Sequence, residues 1–376
     1  TNATPCAKRI YASLFGTRFA CVCNATYCDE YADVQPTTTT SIIYSSSENG
    51  DRMSARSTPV SFTKLKSGLF TARIKMNPAV TYQEIIGFGG AFADAAGKKK
   101  TSLSAPTQER LMQTLYGRKG SPLFNWMIHY PKTKQVSSSY SYDDYPGDVR
   151  MSHFALAEAD LKYKISYITR ALSLTSGDLR LFSSPWAAPA WMKRTGRMQG
   201  WGRLRKGMKA TWAKYFVRFF EEYAARGISF WATTVQNEPS TGAIPYWPWQ
   251  TMYWSARGER SFVTQHLGPA LRASNASKNV KIIGLDDQRM FLPLWAYKIY
   301  SDPIASSYFA GMGLHWYLDP LAPAVTMSMV HAAYPDKFIL YTEACACFIP
   351  FFKGPQLGDW SRAEDYVRSI IKVELA

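Results

Sequence analysis

Hydrophobic and polar positions follow two rhythms along the 376-residue chain. Between residues 30 and 84 they alternate. Ser41-Ile42-Ile43-Tyr44 precedes Glu48-Asn49-Gly50-Asp51, whose Asn-Gly pair favours a hairpin turn. Phe70, Ala72, Ile74 and Met76 fall on one face of a further strand, with Thr71, Arg73 and Lys75 on the other. This pattern predicts a small β module, too narrow to be stable alone. From about residue 85 the rhythm becomes strand, loop, helix, repeated. Strands are predicted at 85–90, 122–129, 179–184, 229–236, 280–285, 310–316 and 337–342. Helices follow near 106–116, 157–173, 208–226, 258–273, 290–300, 323–333 and 361–374. The helix over 208–226 is the clearest: Trp212, Phe216, Phe219 and Tyr223 recur at i, i+4, i+7 and i+11, and Gly227 ends it. Such alternation predicts a parallel α/β fold. Seven strands suit either a doubly wound sheet or a barrel short of its eighth strand.

Composition adds a size to this picture. The chain is 46% hydrophobic, with 12 Trp, 23 Tyr and 20 Phe, enough to bury a large core and to exclude global disorder. No apolar run approaches ~18 residues, so no transmembrane helix is expected. No signal peptide is read, and a chain starting at Thr1 is expected to be processed, trimmed or a fragment. The net charge of +16 attracts anionic surfaces: nucleic acid, acidic lipid or an acidic partner. Its densest cluster, Lys193, Arg194, Arg197, Arg203, Arg205, Lys206 and Lys209, reads as a solvated basic face. No motif turns that charge into nucleic-acid recognition, so no nucleic-acid partner is expected.

Cys6, Cys21, Cys23 and Cys28 crowd the N-terminus, while Cys345 and Cys347 stand far downstream. The spacing Cys-x-Cys-x4-Cys lacks the paired Cys-x2-Cys of a zinc knuckle and has no nearby His, so no metal is expected. Asn24 heads a glycosylation sequon inside the cysteine cluster; Asn2 and Asn275 head two more. A sequon within such a cluster favours the secretory pathway and disulfides. Cys345 and Cys347, only two positions apart, are expected to remain free thiols.

Candidate chemistry gathers just after the predicted strands, at Asp94, Glu238, Asp286, Asp287, Asp319 and Glu343. In a barrel the C-terminal strand ends form one rim, where these groups would converge. Each aspartate has helix capping as an alternative role. Glutamate caps poorly, so Glu238 and Glu343 ask for another explanation. Two glutamates facing one cavity suit glycoside hydrolysis, one kept protonated as acid and the other ionised as nucleophile. Trp186, Trp191, Trp316 and Tyr317 offer flat faces for sugar CH groups, or simply core packing.

Several motifs then occur in one order: Cys21-Val-Cys-Asn-Ala-Thr-Tyr-Cys28, Gly87-Phe-Gly-Gly-Ala-Phe-Ala-Asp94, Ser184-Pro-Trp186, Asn237-Glu-Pro239, Leu285-Asp-Asp-Gln-Arg289, His315-Trp-Tyr-Leu-Asp319 and Thr342-Glu-Ala-Cys345. Over nearly its whole length the chain resembles the lysosomal glucosylceramidases of glycoside hydrolase family 30. The resemblance implies a (β/α)8 TIM-type barrel over 85–376, lacking its last strand in this chain. Ahead of it would come a disulfide-bonded segment at 1–29 and a partial β-sheet module at 30–84. It implies retaining hydrolysis of glucosylceramide to glucose and ceramide, with Glu238 as acid/base and Glu343 as nucleophile, ~5–5.5 Å apart. Asp94, Trp186, Asn237, His315 and Tyr317 would bind the substrate, Asn237 at the sugar 2-OH. The same resemblance implies Cys6–Cys21 and Cys23–Cys28 bridges, no cofactor, a saposin-type activator and an anionic lipid surface. The expected location is lysosomal, peripheral to the lumenal membrane.

Three stretches depart from the family pattern. Strand two, Asn125 to Gln135, lacks the family's Arg and Asp and carries Lys134. Lys98, Lys99 and Lys100 stand where the family has apolar residues. The strand-eight motifs have no counterpart. A rival reading from another class follows from these: a catalytically impaired or non-catalytic paralogue that binds lipid or a partner through its basic face.

Overall fold

The computed structural model describes residues 4–13, 16–32, 34–60, 75, 77–117, 126–129, 140–175, 178–346 and 356–374. The N-terminal part is two antiparallel hairpins. In the first, β1 (Lys8–Ser13) pairs with β2 (Gly16–Cys21); in the second, β3 (Thr40–Ser45) pairs with β4 (Ser54–Pro59). The second hairpin is the one the Asn-Gly pair predicts, and Gly50 takes φ +115° in its turn. The first was not predicted. Bridges Cys6–Cys21 and Cys23–Cys28 form as the resemblance implied. Cys345, expected free, is disulfide-bonded to a partner outside the described residues. Closeness along the chain was the argument against a bond, whereas bonding depends on Cα separation and side-chain direction. The alternating run at 68–76 lies outside the described residues, Lys75 excepted.

The larger part alternates as predicted. After α1 (Asp94–Thr101) and α2 (Ala105–Tyr116) come β5 (Trp126–His129), α3 (Ile165–Leu174), β6 (Leu181–Ser184), α4 (Lys209–Ala224) and β7 (Ala232–Thr234). Then follow α5 (Ala256–Phe262), α6 (Gly268–Ala273), β8 (Lys281–Gln288), α7 (Leu292–Tyr300), α8 (Pro303–Tyr308), β9 (Phe309–His315), α9 (Val325–Ala333), β10 (Phe338–Glu343) and α10 (Trp360–Glu374). Strands β5 to β10 form one parallel sheet in sequence order. A doubly wound sheet reverses direction at a switch point; an order that never reverses belongs to a barrel.

Packing follows the pleat. Phe182, Ala232 and Ile283 face inward with Trp231, Phe338 and Leu340 beside them. Their neighbours Leu181 and Ile282 join the second core, which includes Trp212, Phe216, Phe219 and Tyr223 of α4, all buried. These four are the residues whose spacing predicted that helix.

Two further expectations need correction. Residues 85–90 do not form a strand; bridge pairing is confined to Phe88 and later Ala91. Gly87, Gly89 and Gly90 give the segment little strand preference, and Gly87 sits at φ +147°. The three lysines are the end of α1, where cations suit the helix dipole. Lys98 and Lys99 are exposed, while Lys100 is buried with Nζ 3.6 Å from the centre of the Tyr167 ring. Lys193 is no part of a solvated face. It is fully buried, and Nζ donates to the carbonyls of Met198 at 2.8 Å and Thr251 at 2.5 Å, pinning two rim loops together. Burial pushes its ammonium down to about 8.

Candidate active site

The sheet ends irregularly where the chemistry sits. β8 shifts register between Leu285 and Asp287, with Leu285 and Asp286 at φ +67° and +54°. β10 shifts between Tyr341 and Glu343. Glu238, just beyond β7, has φ +40°. Bulges re-aim side chains, and left-handed non-glycine residues persist only where their surroundings hold them. Here the Glu238 amide donates to the Asp286 carbonyl at 2.8 Å, and the Glu238 carbonyl accepts the Thr241 hydroxyl at 2.7 Å.

His315, fully buried at the end of β9, ties the end of β8 to the residue that follows β7. Its Nδ1 lies 3.2 Å from Glu238 Oε1 and its Nε2 lies 3.1 Å from Asp286 Oδ1. Asp286 also accepts from Thr342 Oγ1 at 2.6 Å and Thr234 Oγ1 at 2.7 Å. Burial alone would raise the Asp286 carboxyl; its hydrogen bonds and the imidazole charge lower it instead. Burial likewise opposes a charged His315, but the Glu343 charge and the bonds to Asp286 and Glu238 hold it well above the usual imidazole range.

Glu343 closes the cluster. Tyr317 donates its hydroxyl to Oε1 at 2.6 Å, while Oε2 is buried without a hydrogen-bond partner among the described residues. Burial raises the carboxyl, the charge of Glu238 raises it further, and His315 opposes both. Glu238 Oε1 accepts a second donor, Gln288 Nε2, at 3.1 Å. Asp287 accepts the Ser240 amide at 2.9 Å, tying down the loop that follows Glu238; burial pushes its carboxyl up to about 6.

Glu238, Glu343, His315 and Tyr317 are thus drawn together around Asp286. Asn237 sits beside Glu238, buried, with Oδ1 unpartnered among the described residues. Trp186 is half-buried and lines a small cavity with Tyr140, Ser141, Tyr142 and Gln250. Asp94 sits in a buried charge cluster: Lys164 Nζ lies 2.7 Å from its Oδ1 and 3.2 Å from Asp160 Oδ1. Tyr140 donates to Asp94 Oδ2 at 2.9 Å, linking that cluster to the Trp186 cavity. Trp191 and Trp316 are in packing roles: Trp191 Nε1 donates to the Asp143 carbonyl, and Trp316 stacks on Tyr366. Asp319 pairs with the buried Arg289 at 3.0 Å. Asn24 and Asn275 are exposed, and Asn2 lies outside the described residues. So does most of strand two, including Lys134.

Sequence reasoning missed Gln288 and Lys164 as site residues. Gln288 stands third in the polar run Asp286-Asp287-Gln288 at a strand end, a usable signal. Lys164 lies four residues from Asp160, a spacing that reads as an ordinary surface pair.

Residues 85–375 match the model of the glycosyl hydrolase family 30 TIM-barrel domain. Over 360 residues the chain is 41% identical to putative glucosylceramidase 4 of Caenorhabditis elegans, covering 94% of this chain and 68% of that protein. Over 379 residues it is 37% identical to lysosomal acid glucosylceramidase of Mus musculus, covering 98% and 72%. Among solved structures, SrfJ from Salmonella typhimurium superposes with a TM-score of 0.78 at 25% identity, covering 89% of this chain and 72% of that one.

Proposed function

The chain belongs to glycosyl hydrolase family 30, a glycosidase family, and on that premise we propose that it hydrolyses glucosylceramide with retention at the anomeric carbon. One observation carries this reading. Two glutamates, one just beyond β7 and one at the end of β10, are held differently, Glu343 by Tyr317 with its other oxygen unpartnered among the described residues, Glu238 by Gln288 and His315 on one oxygen. The mechanism needs that asymmetry. Glu343 Oε2 attacks the anomeric carbon while Glu238 protonates the departing ceramide oxygen. The glycosidic electron pair leaves with that oxygen, and a glucosyl ester forms on Glu343. Glu238, now ionised, takes a proton from water, which attacks the ester and releases glucose.

Asn237 Oδ1 serves a sugar hydroxyl, and Trp186 with the Asp94–Tyr140 pair walls the glucose pocket. The substrate follows the relatives' names, glucosylceramidases of worm and mouse. A lysosomal setting at the lumenal face, glycans on Asn2, Asn24 and Asn275, a saposin-type activator and anionic lipid complete the proposal. The +16 charge suits that lipid without invoking nucleic acid.

The test is a 2-deoxy-2-fluoro-β-glucoside, which forms the glucosyl ester but releases it slowly. Peptide mapping should place the adduct on Glu343. Glu343→Gln should abolish labelling with the fold intact by circular dichroism. Glu238→Gln should cost about 10²–10⁴-fold on a substrate with a poor leaving group. A label on another residue, or none, would sink the reading.

A further inference from the structure

The acid role of Glu238 requires its proton on one particular oxygen, and the site holds a device for that choice. Resting on the proposed retaining reaction, we infer that Gln288 is the positioning residue that directs the transferable proton of Glu238 to Oε2. The argument begins at Leu318, whose backbone N–H can only donate. It lies 3.0 Å from Gln288 Oε1, so that atom is the amide oxygen and the orientation of the amide is settled. Gln288 Nε2 therefore faces Glu238 Oε1 as an obligate donor, at 3.1 Å.

His315 acts in the same direction only while charged. An imidazolium donates from Nδ1 to Glu238 Oε1, but a neutral ring with its proton on Nε2 accepts there and would draw the carboxyl proton to Oε1. Gln288 has no such second form. In a protonated carboxyl the carbonyl oxygen is the good acceptor, so an amide N–H fixed on Oε1 makes Oε1 the carbonyl and Oε2 the hydroxyl. Oε2 accepts no hydrogen bond from any described residue and remains open to the substrate.

Gln288 also spans the two halves of the site. Its oxygen holds Leu318, next to Tyr317, whose hydroxyl holds the nucleophile Glu343. Its nitrogen holds the acid. One side chain at the end of β8 thereby sets both carboxylates against each other, supported by its own amide on Asp287 Oδ1 at 2.7 Å.

Gln288→Met keeps the length of the side chain and removes both hydrogen bonds; Gln288→Glu keeps the shape and replaces a donor with an acceptor. The readout is kcat/KM on two β-glucosides, 2,4-dinitrophenyl, whose leaving group departs without a proton, and a simple alkyl glucoside, which needs one. Both variants should lose about tenfold or more on the alkyl substrate and about threefold or less on the dinitrophenyl one. Labelling by the fluoroglucoside, read by intact mass, counts competent sites in each protein. Equal losses on both substrates would overturn the assignment and leave Gln288 a packing residue. If the unsubstituted chain is not labelled on Glu343, the retaining reaction itself fails, whatever the Gln288 variants do.

Discussion

The N-terminal hairpins and the parallel sheet are held together by different means. In residues 4–60, Ile10, Val22, Ile43, Tyr44, Met53 and Val60 are exposed, and two disulfides tie the first 28 residues. The sheet and its helices bury their apolar residues so thoroughly that they also hold ionisable groups inside: Lys164, Asp160, Glu259, Asp286, Arg289 and His315 are at most 1% exposed. Small β modules lack the volume for a core and rely on covalent ties. A large core can hold ionised groups in fixed geometry, provided each finds a partner. Reactive geometry therefore belongs to the sheet, and its stability depends on pairing and pH where that of the hairpins depends on redox state.

The largest expected effect breaks the sheet side of that contrast. Lys164→Met keeps much of the side-chain volume but strands Asp94 and Asp160 without their cation. Losing one partner of a buried ion cluster costs about 3–5 kcal/mol. Urea unfolding followed by tryptophan fluorescence should show a loss in that range. Asp160 also accepts the hydroxyls of Tyr142 and Tyr223, and Asp94 that of Tyr140, so those bonds offer partial relief. A loss below about 1 kcal/mol would mean that the cluster is solvated and the contrast overstated.

A pH experiment sharpens the contrast more gently. Glu259 is fully buried, accepting Trp295 Nε1 at 3.0 Å and the Leu285 amide at 3.1 Å. Burial pushes its carboxyl from 4.5 up to about 7 despite those bonds. Across that interval the folded chain holds a proton that the unfolded chain has released, so stability falls as pH rises. The full span corresponds to about 3 kcal/mol. His315 adds the same sign above pH 6.5, because its raised value keeps a proton on the folded form. The chain should be more stable at mildly acidic pH than at neutrality, and Glu259→Gln should flatten the slope between pH 4.5 and 7. Stability that rises over that range would refute the assignment.

How much of this was visible in the sequence also divides along the two regions. Helix α4 was legible because its four aromatics recur on one face, and six of the seven predicted strands appear because apolar runs between turn residues are a local signal. Glu238 and Glu343 stood out because glutamate makes a poor cap, which removed the commonest alternative for a carboxylate at a strand end. The segment at 85–90 misled because its apolar residues alternate with glycines that refuse regular pairing. Lys164 and Lys193 were illegible as buried cations, since their partners come from elsewhere in the chain: Asp94, and the carbonyls of Met198 and Thr251. The bulges at Leu285–Asp287 and at Tyr341–Glu343 leave no mark in the pattern, yet they aim the side chains of the site.

The smallest effect on the sheet should come from the strongest covalent tie outside it. Cys6→Ser with Cys21→Ser opens a loop spanning 15 residues between its ends. Chain-entropy reasoning assigns such a loop about 3 kcal/mol. That energy belongs to the β1–β2 hairpin, whose exposed Ile10 shows how little core it has to fall back on. Hydrogen exchange should therefore accelerate sharply at 8–11 and 17–21, while amides of β8 and β9 keep their protection. The sheet's unfolding free energy from urea titration should change by less than about 0.5 kcal/mol. Fluoroglucoside labelling of Glu343 should persist, since the described residues bonded to Glu238, His315 and Gln288 all lie outside the hairpin. A sheet that loosens together with the hairpin would mean that the two regions fold as one cooperative unit. Their different means of support would then be a difference of construction and not of stability.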